Sequence, residues 1–122
     1  MTAEEPSNNK LPEDQILDLH PLMDMFDQDL SIVREILHEF ISPTDATIEE
    51  IVNAYHDKST DKLEMASHKL KSSARSIGAY LLGDTCEQIE HASKDSDWTT
   101  IDELVPQLDS MMANIKSQIK EI

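Results

Sequence analysis

The segment Ser67-His68-Lys69-Leu70-Lys71-Ser72-Ser73-Ala74-Arg75 sets one imidazole among three cationic side chains. On a helix turning about 100° per residue, Leu63, Ala66, Leu70, Ala74 and Ile77 gather within roughly 80° of surface, and His68 lies about 160° from the centre of that stripe. The ring therefore faces away from any core. Lys71 and Ser72 are its same-face neighbours one turn on, Arg75 follows a turn later, Glu64 stands one turn before, and Lys69 flanks from the side. A neutral imidazole is a usable nucleophile near neutral pH. A phosphoryl group carried on it would receive charge-assisted hydrogen bonds from Lys71, with Ser72 and Arg75 as further donors. The same patch suits encounter with an acidic site on another protein, an effect on rate more than on affinity. An idle surface histidine would show the same geometry, so position alone does not settle the use.

Several elements must position this ring. Phe26, Leu30, Val33, Leu37, Phe40, Thr44, Ile48, Ile51 and Tyr55 recur three or four apart, and the pattern stays in phase across Pro43, which predicts one long helix kinked there. Ser59 is a natural N-cap for the histidine-bearing helix, and Gly78 falls where a helix end takes a left-handed residue. A further helix begins near Ala79 with Leu82, Cys86, Ile89 and Ser93 inward. Asp97 caps a last one carrying Ile101, Leu104, Leu108, Met111, Ile115 and Ile119, bent at Pro106. Before these, Ile16, Leu17, Leu19, Leu22 and Met23 suggest a brief helix from about Pro21 to Phe26 covering one end. Short loops force neighbouring helices antiparallel. The expected fold is all-α, an antiparallel up-down four-helix bundle with a short extra N-terminal helix, spanning residues 13–122 after a polar, disordered tail at 1–12.

Composition agrees. Two glycines and 4% aromatics in 122 residues leave an all-β chain without its turns and its strand-forming rings. Twenty-five acidic against ten basic residues give a net charge of −15, which repels phosphate backbones and anionic lipid, so neither nucleic acid nor a membrane surface is an expected partner. No run approaches the roughly 18 apolar residues of a membrane span. The lone Cys86 fits a reducing compartment and an inert, buried thiol, and a cytoplasmic monomer is expected.

The stretch from Ala66 through His68 and Lys71 to Ala74, then Ile77-Gly78-Ala79, Leu82, Cys86 and Ile89-Glu90, resembles the signature of histidine-containing phosphotransfer (HPt) domains, over about Asp18 to Met112. The resemblance implies that His68 accepts a phosphoryl group from a receiver-domain aspartate and passes it to another receiver domain. Lys71 matches the lysine that holds the phosphoryl oxygens, and Gly78 the glycine closing the active-site helix. Ser72 departs from a common glycine but stays small. Lys69 and Arg75 are supporting residues outside the firm pattern. Expected partners are response-regulator receiver domains and a hybrid sensor histidine kinase. No cofactor of its own is expected; Mg²⁺ would belong to the receiver. With no Gly-rich nucleotide loop, the chain should be a carrier and not a kinase.

Ile77, Tyr80, Leu81, Leu22 and Met25 are candidates for an apolar docking patch near the ring, with Ile77 and Leu81 better explained as core. Met65 reads as core or rim filler. His20, His38, His56 and His91 lack metal-site spacing. The competing reading is an interaction module of the same shape that binds or blocks a receiver or kinase without carrying phosphate.

Overall fold

The computed structural model describes residues 16–122. The expected tail at 1–12, and the start of the domain at 13, lie outside them. The described residues form α1 (His20–Met25), α2 (Leu30–His56), α3 (Thr60–Ser76), α4 (Tyr80–Lys94), α5 (Trp98–Leu104) and α6 (Leu108–Glu121), with a 3-10 turn at Val105–Gln107. No strand occurs among them. α2, α3, α4 and the α5–α6 pair make the four struts of an antiparallel bundle, and α1 is the short extra helix. The fold expected from the sequence is the one observed.

The expected stripe is the buried one. Leu63, Ala66, Leu70 and Ala74 of α3 and the following Ile77 join Leu37, Ile48 and Ile51 of α2, Leu82, Cys86 and Ile89 of α4, and Ile101, Leu108, Ile115 and Ile119 of α5–α6 in one core. Each fully buried Leu or Ile contributes about 1.5–3 kcal/mol of transfer free energy, so Leu63, Leu70 and Ile77, with the buried Ala66 and Ala74 between them, fix the rotation of α3 about its axis. Its packing is most extensive against α4 and next against α2.

The two internal prolines behave differently. α2 runs unbroken through Pro43, whose exposed ring sits on the solvent side, while Thr44, Thr47 and Ile48 keep packing beyond it. The carbonyl that loses its donor belongs to Glu39, also on the exposed side, where water can replace the bond. At Pro106 the helix breaks into α5, the 3-10 turn and α6. Only a short helical stretch precedes this proline, and too little packed ladder holds it in register.

Ser59 and Asp97 cap α3 and α4's successor α5 as expected, accepting from the Lys62 and Thr100 backbone N–H groups. Helices α2, α3 and α4 each end on a left-handed residue, Lys58 (φ 57°), Gly78 (φ 83°) and Ser96 (φ 53°), with the next N–H bonded back to Ala54, Ala74 and Ala92 respectively. Only at Gly78 does a close approach also demand glycine: its carbonyl accepts from Asp18 N–H at 3.0 Å, and a Cβ there would overlap the Asp18 carbonyl oxygen. This bond, with Gln118 accepting from Ile16 and Leu17 N–H, lays the segment before α1 across the end of the bundle.

A prediction follows. Gly78→Ala combines left-handed strain with a backbone clash and should cost about 2–4 kcal/mol. Gly83→Ala should be near neutral, because the added Cβ meets only the flexible Arg75 side chain, at 2.8 Å, and helix propensity favours alanine by about 1 kcal/mol. Urea midpoints check both; a Gly78→Ala protein as stable as the native one would show that the α3–α4 turn is not held as described.

Candidate functional site

His68 projects from the outer side of α3, 61% exposed at its side chain, which is where the helical phase put it. Its surroundings are less open than the sequence suggests. Nδ1 lies 3.0 Å from Oε2 of Glu90, a carboxylate on α4 that is only 8% exposed. Lys71, one turn along α3 and 18% exposed, brings its ammonium within 2.8 Å of Oε1 of the same carboxylate. The imidazole and the lysine therefore converge, on a buried anion supplied by the neighbouring helix. The Lys71 ammonium is the group that holds that Oε1.

The electrostatics of the carboxylate set the state of the ring. Burial pushes the Glu90 carboxyl up, but the Lys71 ammonium and the His68 ring outweigh burial and hold it below the ordinary carboxylate range. Glu90 is thus ionised at neutral pH and can only accept. Nδ1 must then carry the proton, which leaves the lone pair on Nε2, the nitrogen away from Glu90. A carboxylate that fixes a histidine tautomer in this way also orients the ring.

The supporting residues divide. Ser72 is exposed beside His68, small enough to let a partner approach. Lys69 turns to the other side and pairs with Glu50 of α2 at 3.1 Å. Arg75 lies across the Gly83 backbone and pairs with Asp84, at 3.0 Å, and with Glu87, both on α4. The three cations expected to stand free around the ring each hold a carboxylate instead, because carboxylates on α2 and α4 come within reach of side chains this long. Lys71 alone of them shares its carboxylate with the ring. Gly78 shapes the turn at the end of α3 and touches no atom of the site.

Glu90, quoted in the motif but given no role there, is the functional residue whose part the sequence reading missed. Its signal was present: a carboxylate on the inward stripe of α4, four residues from Cys86 and next to Ile89, needs a cationic partner. The docking candidates also need correction. Leu22 is buried in the core and Ile77 is buried as expected, whereas Leu81, expected inside, is 58% exposed at the start of α4, where the bundle has no further layer to cover it. Met65, one turn before His68, is 73% exposed and so is not core filler. Tyr80 and Met25 are exposed as expected for a patch. Cys86 is buried, and burial pushes its thiol up to about 12, which leaves it protonated and inert.

The geometry is that of an accessible imidazole nitrogen with its second nitrogen locked to an anion and an ammonium alongside. No three His, Cys, Asp or Glu side chains among the described residues are placed to share a metal ion, and no helix among them is long and apolar enough to cross a membrane. The sequence profile of the Hpt domain matches residues 35–118. Among solved structures the chain is similar to the crystal structure of histidine-containing phosphotransfer protein B from Pseudomonas aeruginosa PAO1, with a TM-score of 0.76 at 18% identity, covering 87% of this chain and 92% of that one. No curated protein matches it by sequence.

Proposed function

Because the chain belongs to the Hpt domain family, and so has a phosphotransfer role in two-component phosphorelays, we propose that His68 is its phosphoryl acceptor and that it shuttles the group between receiver domains of response regulators and of a hybrid sensor kinase. The observation that carries this reading is the pairing of Nδ1 with an ionised, buried Glu90, which leaves Nε2 as a free nucleophile on an exposed ring.

The Nε2 lone pair attacks phosphorus in line with the scissile bond of the partner's aspartyl phosphate. The N–P bond forms, the P–O bond breaks, and its electron pair returns to the aspartate as carboxylate. No proton need leave the ring, which becomes an N-phosphorylated imidazolium with its Nδ1–H directed at Glu90. The positive charge that develops on the ring meets the fixed negative charge of a buried carboxylate already hydrogen-bonded to it. Lys71, already beside the ring, can turn from Glu90 to the phosphoryl oxygens. Because the phosphorylated ring leaves as neutral imidazole with Nδ1–H in place, the same arrangement serves the return transfer. Magnesium and its carboxylate ligands would be the receiver's contribution.

Docking would use the surface around the ring. Met65 lies in a shallow groove with Asn53 and Ala54 of α2, on the flank of α3 opposite Glu90, and the small, exposed Ser72 leaves room one turn beyond His68. A small, partly apolar contact of this kind suits quick release, which repeated transfer requires. The test is to mix the protein with a phosphorylated receiver domain and follow the label. Transfer to this chain as an acid-labile, base-stable species is the expected outcome. A stable complex in which the label never leaves the receiver would instead favour the module that binds without carrying phosphate.

A further inference from the structure

One more cation faces the site, and phosphotransfer as described gives it nothing to do. Lys94, at the end of α4 and one turn beyond Glu90, holds its ammonium 3.9 Å from Oε2 of Glu90 and 3.9 Å from Oε2 of Glu64, which stands one turn before His68 on α3. Lys94 therefore approaches the very oxygen that binds the ring, whereas Lys71 holds the other. In the resting protein two carboxylates, Glu64 and Glu90, face two ammoniums, Lys71 and Lys94, around the imidazole.

That arrangement changes on phosphorylation. The group adds two negative charges and the ring gains one positive, so the cluster becomes more anionic by one. Lys71 cannot fully serve the phosphoryl oxygens and Glu90 together. Its ammonium lies 2.8 Å from Oε1 on a flexible stem, and turning to the phosphoryl oxygens gives up that contact. Once it turns away, Glu90 would be a buried carboxylate facing only the ring, an expensive state unless another cation approaches.

We propose that Lys94 is the relief counter-ion of this site: a positioning residue that moves fully onto Glu90 when Lys71 turns to the phosphoryl group, and so keeps the Glu90–His68 bond intact in the phosphorylated protein. Glu64 is its resting partner and holds it within reach. The inference rests on His68 being the acceptor. It concerns only the phosphorylated state, since in the resting state Lys71 already neutralises Glu90.

The test loads the protein with potassium phosphoramidate, a small donor that needs no receiver, and follows loss of the acid-labile label at neutral pH. Lys94→Met should shorten the phosphorylated lifetime by about two- to fivefold, the scale of one partly exposed ion pair, while the urea midpoint of the unphosphorylated protein stays unmoved. Lys94→Arg should restore most of the lifetime. In a Glu90→Gln background Lys94→Met should add nothing, because Lys94 acts through that carboxylate. A native lifetime in Lys94→Met, or a full further loss in the Glu90→Gln background, overturns the proposal, the latter by placing Lys94 on the phosphoryl group itself. Native protein that takes no label on His68 fails the acceptor reading, and this one with it.

Discussion

In a His68→Gln protein, label from a phosphorylated receiver domain is expected to stay on the receiver, with transfer reduced below detection. The glutamine amide can donate to Glu90 through its NH2 group and fill similar space, but it has no nitrogen lone pair available to form an N–P bond. Because the ring is exposed and does not pack in the core, the substitution should leave the fold intact, with a urea midpoint within about 0.5 kcal/mol of native stability. The comparison therefore isolates chemistry from folding. Label that still reaches the His68→Gln chain would move the acceptor to another residue.

The second large effect is expected at Glu90. Glu90→Gln keeps the size of the side chain and an oxygen able to accept from Nδ1–H, but removes the charge that faces the developing imidazolium. Outer-shell partners of metal-ligating histidines are worth about 10–100-fold, and by analogy a loss on that scale is expected in the transfer rate. Glu90→Ala should be worse in two ways. The ring loses its anchor and its fixed tautomer, and Lys71, only 18% exposed, is left beside a void without its anion. An unsatisfied group of that kind costs about 1–3 kcal/mol, so a stability loss should accompany the slower transfer. Rapid-quench time courses together with urea midpoints separate the two effects. Native rates in Glu90→Gln would show that the carboxylate serves structure alone.

How much of this was legible in the sequence varies by residue, and for physical reasons. The helices and the outward face of His68 follow from a period, and a period is a local property: Leu63, Ala66, Leu70, Ala74 and Ile77 fix the rotation of α3 wherever the neighbouring helices lie. Helix starts at Ser59 and Asp97 were equally readable, because a capping side chain bonds within its own first turn. The ends were readable only in part. Gly78 announces a left-handed residue, whereas Lys58 and Ser96 adopt the same conformation without any such sign. The partners of the charged side chains could not be read from spacing along α3. Arg75 and Lys69 were expected beside the ring by their place on the helix, yet their long stems reach Asp84, Glu87 and Glu50 on other helices. Glu90 could be suspected as a carboxylate on an apolar stripe. That its partners are His68 and Lys71 depends on the axial register of α3 against α4, a tertiary property. Leu81 illustrates the converse limit: it continues an apolar run, but the bundle has no layer left to cover it.

The account stands or falls on which atom bears the phosphorus. Nitrogen-15 NMR of the phosphorylated protein measures this directly, through the phosphorus coupling of each imidazole nitrogen. The arrangement around Glu90 predicts coupling at Nε2 of His68, with Nδ1 still protonated and hydrogen-bonded. Phosphorus on Nδ1, or on any other residue, would contradict it.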